Sequence, residues 1–445
     1  MKQGSRIVDL WMPLKIQYDH IPGVSIAVAH KGKIVYAKGF GFADVEKNHK
    51  ADMHMAYHIA SMSKTFTAVA IMKLVEDGKL RLEDKIVDYI PWFKAKTKRA
   101  DAANITVRQV LSHASGVFRD GNDSQWETGK FPKELSKSFV PESLIVENNT
   151  KFKYTNYGYS LLGIVVEKAS GVKYGEYLIK NIFKPLGLTD TRPDYEDNLK
   201  NAATGYGRVI PDEKRKIFPH YKANAYAPAT GFVSTAVDMA KFISSLSLNE
   251  KRGVLGREAK KEMSRAHEKT GDEGEYGLGL DIDWQNGSKI IGHGGNYSGF
   301  TGRTLLDTTN DVSIVVLTNT MGAPATPIAF GILDAIRRLA NPDKDLSGTK
   351  KVNGGAYEGL YRSVWGDDVV AQAGNALVAF SPQTNSPLGR KATVFVPTGK
   401  KNEFIMRDKS LYSSYDEPAW FEGFKNGKAT ILMEAGSPLK RVKSQ

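Results

Sequence analysis

The stretch from Ser61 to Asp77 constrains this chain more than any other segment. It is apolar on nearly every side, with Phe66, Val69, Ile71, Met72, Leu74 and Val75 distributed around a helical wheel. A helix without a polar face has to be enclosed by the rest of its domain, so the fold must be built around it. Gly78 supplies the stop, because glycine enters the left-handed conformation at least cost. The helix opens with Ser61-Met62-Ser63-Lys64. A Ser and a Lys three apart on a first turn face the same way, and an amine within reach of a hydroxyl is a minimal activated nucleophile. Free N–H groups at a helix start also favour developing negative charge. The four-residue pattern alone singles out nothing. It recurs at Ser170-Lys173, Ser347-Lys350 and Ser437-Lys440, in Gly- or Pro-containing loops.

Around this helix the text alternates in character. Val24-Ser25-Ile26-Ala27-Val28-Ala29 and Lys33-Ile34-Val35-Tyr36-Ala37 predict a hairpin across Lys31-Gly32. From about 80 to 260 the pattern reads as mostly helical. Strands return at Lys289-Ile290-Ile291, Thr301 to Leu306 and Val312 to Leu317, and a helix follows from Pro327 to Leu339. Strands at both ends with helices between predict an α+β fold: an antiparallel sheet flanked by helices, with a large helical insertion. After Asn341-Pro342-Asp343-Lys344-Asp345 come short strand-like runs, such as 376–380, 393–396, 403–406 and 430–433, separated by Gly, Pro and Asn. These predict a small all-β barrel or sandwich. The expected domains are 1–345 and 350–445. A chain of 445 residues, 41% hydrophobic, is long enough for two or three cores.

Composition removes several function classes. With no cysteine, disulfide scaffolds, Cys nucleophiles and thiolate metal sites are excluded. The formal net charge is +13, but the basic residues are scattered. The densest group, Lys94-Ala95-Lys96-Thr97-Lys98-Arg99, reads as a solvated loop with no aromatic platform beside it, which argues against nucleic acid. No window approaches 18 consecutive apolar residues, so no membrane span is expected. Asp9 and Pro13 interrupt the apolar residues near the N-terminus, and no small-residue cleavage site follows. As written the chain carries no signal peptide and reads as cytoplasmic, with an extracytoplasmic location left open.

Two further motifs give the Ser-Lys pair a context. Tyr154-Thr155-Asn156 is the only Tyr-x-Asn among 19 tyrosines, and His293-Gly294-Gly295 follows the strand at 289–291. A second His-x-Gly, His30-Lys31-Gly32, falls in the hairpin turn. At these residues the chain resembles the serine β-lactamase and penicillin-binding-protein superfamily, in its class C β-lactamase-like branch with D-aminopeptidase-like and family VIII esterase members. Ser61-x-x-Lys64, Tyr154-x-Asn156 and His293-x-Gly295 stand in that branch's order. Ile21 to Ser25, Leu111-Ser112-His113-Ala114-Ser115-Gly116, Ala229 to Met239 and Tyr276-Gly277-Leu278-Gly279 match as well. The resemblance spans roughly 7–340. Tyr357-Glu358-Gly359-Leu360-Tyr361 is similar to the opening of the lipocalin-like domain appended to some D-aminopeptidase-type members, where it caps the cleft or builds an oligomer.

The resemblance implies a metal- and cofactor-free serine hydrolase acylated on Ser61. Lys64 and Tyr154 would share the general-base work, the Lys64 charge lowering the Tyr154 pKa while burial lowers its own. Asn156 would hold Lys64 and the substrate amide. The oxyanion hole would use the backbone N–H groups of Ser61 and Asn296, with Gly295 beside them. His293 stands where penicillin-binding proteins carry the Lys of Lys-Thr-Gly, and Gly294 offers no hydroxyl. A site without that charge-assisted pair should grip a substrate carboxylate poorly. The expected substrates are therefore small amides, short peptides (D-amino-acid-containing ones included) or esters. A family VIII-type carboxylesterase is the runner-up, followed by a β-lactamase and a penicillin-recognising protein that does not turn over. An assembly organised by the C-terminal domain is compatible with each. His113 is read as a structural helix-end residue, and Tyr226 and Phe232 as packing or cleft lining.

Overall fold

The computed structural model describes residues 2–97, 100–121, 125–136, 141–271, 274–407 and 414–442; Lys98 and Arg99 of the basic cluster lie outside this set. In chain order the elements used below are α1 (Lys2–Tyr18), β1 (Gly23–His30), β2 (Lys33–Asp44), α2 (Ser63–Glu76), α3 (Asn156–Ser170), β3 (Ser288–Tyr297), β4 (Phe300–Asp307), β5 (Val312–Thr318) and α4 (Ala325–Ala340). Two compact units are present, one of residues 22–325 and one of 1–21 with 326–445.

The first unit is α+β. The hairpin closes as its sequence predicts: Lys31 (φ 50°) and Gly32 (φ 72°) both adopt left-handed backbone, the requirement of a two-residue turn matched to strand twist. The sheet runs His49–Lys50, β2, β1, β5, β4, β3, Asp281–Gln285, Glu275–Tyr276, Glu268–Lys269, antiparallel throughout. All seven residues of β5 are buried, which fits its place inside the sheet with both faces covered. The helix Ala236–Ser244 packs against β1 and β5. Between 80 and 260 the chain is less helical than its pattern suggests. α3 is the one long helix there among the described residues, and shorter helices are linked by loops held through side chains rather than ladders.

The apolar helix is enclosed, as its residue pattern requires. Nine of its side chains, from Thr65 to Leu74 except Lys73, join Ser63 and Lys64 in being buried, and Gly78 ends it at φ 69°. Phe66 stacks on Phe242 with ring centroids 3.6 Å apart and leans on Phe232 at 5.0 Å and Phe183 at 5.7 Å. Emptying that site leaves a cavity that rigid neighbours cannot close. Phe66→Ala is expected to lower unfolding stability by about 3–5 kcal/mol, read from denaturant melts of the two proteins.

The second unit contains a closed barrel of eight antiparallel strands between Gly359 and Arg441. Its interior packs Tyr361, Leu377, Phe395, Phe404, Phe421 and Leu432. α1 was not legible, because Asp9 and Pro13 break its text. Ile7, Val8, Trp11, Met12, Lys15 and Ile16 nevertheless recur at helical spacing and are buried. The Lys15 amine donates to the Gln383 carbonyl at 2.7 Å and pairs with Asp19 at 2.7 Å, which lets a lysine sit 2% exposed. No helix of the described residues is long and apolar enough to cross a membrane.

Candidate active site

The start of α2 is held from two sides. Tyr57–His58 pairs with Val233–Ser234, and the Ile59 N–H donates to the Phe232 carbonyl at 2.9 Å. Ala60 then takes φ 46°, a left-handed conformation that an alanine adopts only when its surroundings impose it. This turn leads through the short 3-10 segment Ala60–Met62 into the helix. The Ser63 hydroxyl donates to the Ala60 carbonyl at 2.6 Å and accepts from the Phe232 N–H at 3.1 Å, bracing the turn. Ser61 is left partly exposed, whereas the residues after it are buried.

Lys64 is fully buried. Its Nζ donates to Asn156 Oδ1 at 2.6 Å and to the Ala229 carbonyl at 2.8 Å, and lies 3.2 Å from Ser61 Oγ. Burial holds its pKa well below the ordinary lysine value; Asp120 and Asp281 act against that, and Arg119 adds to it. A neutral amine has two hydrogens and one lone pair. In its neutral form, with both hydrogens given to Asn156 and Ala229, this amine turns its lone pair to the Ser61 hydroxyl.

Tyr154 is hydrogen-bonded to Ser61, and its ring lies 4.9 Å from Lys64 Nζ and 5.4 Å from the Arg119 guanidinium carbon. Burial pushes its pKa above the ordinary tyrosine value, with the Ser61 bond and Arg119 offsetting part of the rise. The expected lowering of this pKa by the Lys64 charge does not prevail: desolvation is the largest influence on Tyr154 and raises it.

Asn156 begins α3, behind the Thr155 cap whose hydroxyl accepts from the Gly158 N–H at 2.8 Å. While Oδ1 receives Lys64, Nδ2 donates to Asp120 Oδ1. His113 closes on the Tyr154 segment from behind. Its carbonyl accepts from the Lys153 N–H at 2.7 Å, its Nδ1 from the Thr155 N–H at 3.1 Å, and its ring sits 4.3 Å from that of Tyr154. It is fully buried with a lowered pKa, chiefly from burial, so it stays neutral.

The third motif lies on β3. Gly295 is pressed against the turn before Ser61, where an added Cβ would come within 2.2 Å of the Ile59 carbonyl oxygen. Asn296 is exposed, opposite Thr301. The His293 ring is buried and bonded elsewhere: Nδ1 lies 2.6 Å from the Gly294 carbonyl and Nε2 lies 3.1 Å from the Tyr276 hydroxyl. Burial lowers its pKa against the pull of Asp281. A neutral ring with the proton on Nδ1 satisfies both partners. The structure thus brings Ser61, Lys64, Tyr154 and Asn156 into one hydrogen-bonded group and sets β3 against it, while the His293 ring bonds to the Gly294 carbonyl and Tyr276 rather than to that group.

Three participants have no counterpart in the motifs. Ala229 contributes a backbone carbonyl, which leaves no residue-type signal. Asp120 and Arg119 lie just beyond Leu111-Ser112-His113-Ala114-Ser115-Gly116, a matching stretch that gave the one available hint.

This fold, with a lysine buried behind a serine at the start of its central helix, is that of the serine acyl-transferases related to β-lactamases. The chain belongs to the Beta-lactamase family, whose model matches residues 15–335. Among proteins of known sequence it is 27% identical over 317 residues to Protein flp of Staphylococcus aureus (strain MRSA252), a match covering 70% of this chain and 62% of that protein. The chain thus matches about three-fifths of that relative's length. Among solved structures, the octameric penicillin-binding protein homologue from Pyrococcus abyssi superimposes with a TM-score of 0.64 at 25% identity, over 98% of this chain and 99% of the other. A D-stereospecific amidohydrolase from Streptomyces sp. superimposes with a TM-score of 0.60 at 22% identity, over 70% of this chain and 93% of its own. At that identity the likeness is one of fold.

Proposed function

We propose that the chain is a serine hydrolase that forms an acyl-enzyme on Ser61 and acts on amides, short peptides or esters. The observation carrying this reading is the Lys64 amine, buried, held by two acceptors and aimed at Ser61 Oγ from 3.2 Å. In the first step Ser61 Oγ bonds to the substrate carbonyl carbon as its proton passes to Lys64 Nζ. Charge collects on the carbonyl oxygen, beside the backbone N–H groups of Ser61 and Asn296. The C–N or C–O bond then breaks, and the leaving amine or alcohol takes a proton from Tyr154, a phenol that burial keeps protonated; Lys64 returns the proton to Tyr154. Water repeats the sequence on the ester at Ser61, with the proton path reversed.

The substrate class follows from what the third motif presents. His293 is neutral and engaged with Tyr276, and Gly294 has no hydroxyl, so neither supplies the charge-assisted clamp that a penicillin or terminal D-Ala carboxylate requires. Amides, D-amino-acid-containing ones included, rank first, in line with the fold neighbour described as a D-stereospecific amidohydrolase. A panel of D-aminoacyl anilides, short-chain nitrophenyl esters and a chromogenic cephalosporin, run on wild type and Ser61→Ala side by side, tests this. Turnover of the anilides or esters above the cephalosporin, lost in Ser61→Ala, is expected. Efficient cephalosporin turnover as the best reaction would make the chain a β-lactamase, and esters alone would make it a carboxylesterase.

A further inference from the structure

We propose that Asp120 is a positioning residue of this site: its carboxylate orients the Asn156 amide so that the oxygen faces Lys64, and with Arg119 it forms an ion pair of balanced charge beside Tyr154. The inference rests on the acyl-serine reading above and concerns the same site.

The geometry is a chain of three groups. Lys64 Nζ donates to Asn156 Oδ1, and Asn156 Nδ2 donates to Asp120 Oδ1. An amide can present either end, because its oxygen and nitrogen are nearly equal in shape. A carboxylate accepts only, so at Asp120 it admits the NH₂ end and leaves the oxygen for Lys64. Asp120 is itself anchored. Its carbonyl accepts from the Tyr226 hydroxyl at 2.7 Å and from Gln125 Nε2 at 2.6 Å, and the backbone turns away at once through Gly121 (φ 84°). Its other carboxylate oxygen receives Arg119 Nε at 3.0 Å, while the Arg119 side chain is 63% exposed and lies over the Tyr154 ring.

The charges facing Lys64 are Asp120 and Arg119 from this loop and Asp281 from the strand Asp281–Gln285; His113, His293, Tyr154 and Tyr159 are the other titratable groups around it. Asp120 raises the pKa of both Lys64 and Tyr154, and Arg119 lowers both. Removing the negative charge makes the ammonium form of Lys64 harder to reach and the phenolate of Tyr154 easier. Both limbs of the activity profile then move to lower pH. Removing the positive charge moves both to higher pH.

The test is the pH profile of kcat/KM for Asp120→Asn and Arg119→Met on an active ester or anilide, with thermal melts alongside. The expected result is a roughly 10- to 100-fold fall in plateau activity for Asp120→Asn, an acid shift of its profile, an alkaline shift for Arg119→Met, and partial recovery in Asp120→Glu. A residue that merely supported the loop would lower activity without opposite shifts. Unmoved profiles, or shifts in one common direction, would overturn the proposal. If Asp120→Asn does not fold, Arg119→Met decides alone: an alkaline shift supports the proposal and an unmoved profile overturns it. Ser61→Ala in the same assay separates the two readings. If it is inactive while the profiles stay put, only the Asp120 inference fails; if it keeps wild-type turnover, the acyl-serine reading fails.

Discussion

Ser61→Ala is expected to remove turnover of every ester and amide substrate, a loss in kcat of roughly 10⁴- to 10⁶-fold, while leaving the fold intact. Chemistry and stability separate cleanly at this position. Ser61 is partly exposed, and the hydrogen bonds bracing its turn come from Ser63, not from Ser61. Lys64 keeps Asn156 and Ala229 as partners when the hydroxyl is gone. What disappears is the one oxygen that faces both the amine and the Tyr154 hydroxyl. Steady-state kinetics, with a denaturant melt as control, check the expectation; a melt close to wild type with activity gone is the predicted combination.

Lys64→Met is expected to be nearly as damaging to rate and far more damaging to stability. Methionine keeps the length and apolar stem of lysine but has neither lone pair nor N–H. Loss of the base should lower kcat by roughly 10²- to 10⁴-fold. The substitution also strands Asn156 Oδ1 and the Ala229 carbonyl in the interior, at about 1–3 kcal/mol each. Denaturant melts of Lys64→Met against Ser61→Ala check the second part. Equal stability of the two variants would mean that the buried amine does not depend on those acceptors.

How much of this was legible in the sequence depends on where each signal resides. The central helix, the 24–39 hairpin, the strands carrying β3 to β5 and four barrel strands could all be read, because periodic apolar residues and Gly turns encode them locally. α1 could not: a proline and an aspartate interrupt its text, and the helix is retained because Trp11, Met12 and Ile16 are buried on one face. The serine, lysine, tyrosine and asparagine of the site were found through motif spacing, which carries residue type but not environment. Spacing therefore shows the Lys64 charge that would lower the Tyr154 pKa but not the burial that raises it, since desolvation is a property of the assembled interior. His293 stands in its motif, yet its ring partners depend on Tyr276, seventeen residues away and two strands over in the sheet. Asp120 carries no periodicity and no spacing rule. Only the fold brings it to Asn156.

The most direct measurement is the intact mass of the protein quenched during turnover of an activated ester or anilide, followed by peptide mapping. The expected result is a transient increase equal to the acyl group, on the peptide containing Ser61, absent from Ser61→Ala. Wild-type turnover without any acyl adduct, or an adduct on another residue that persists in Ser61→Ala, would contradict the assignment of Ser61 as the nucleophile.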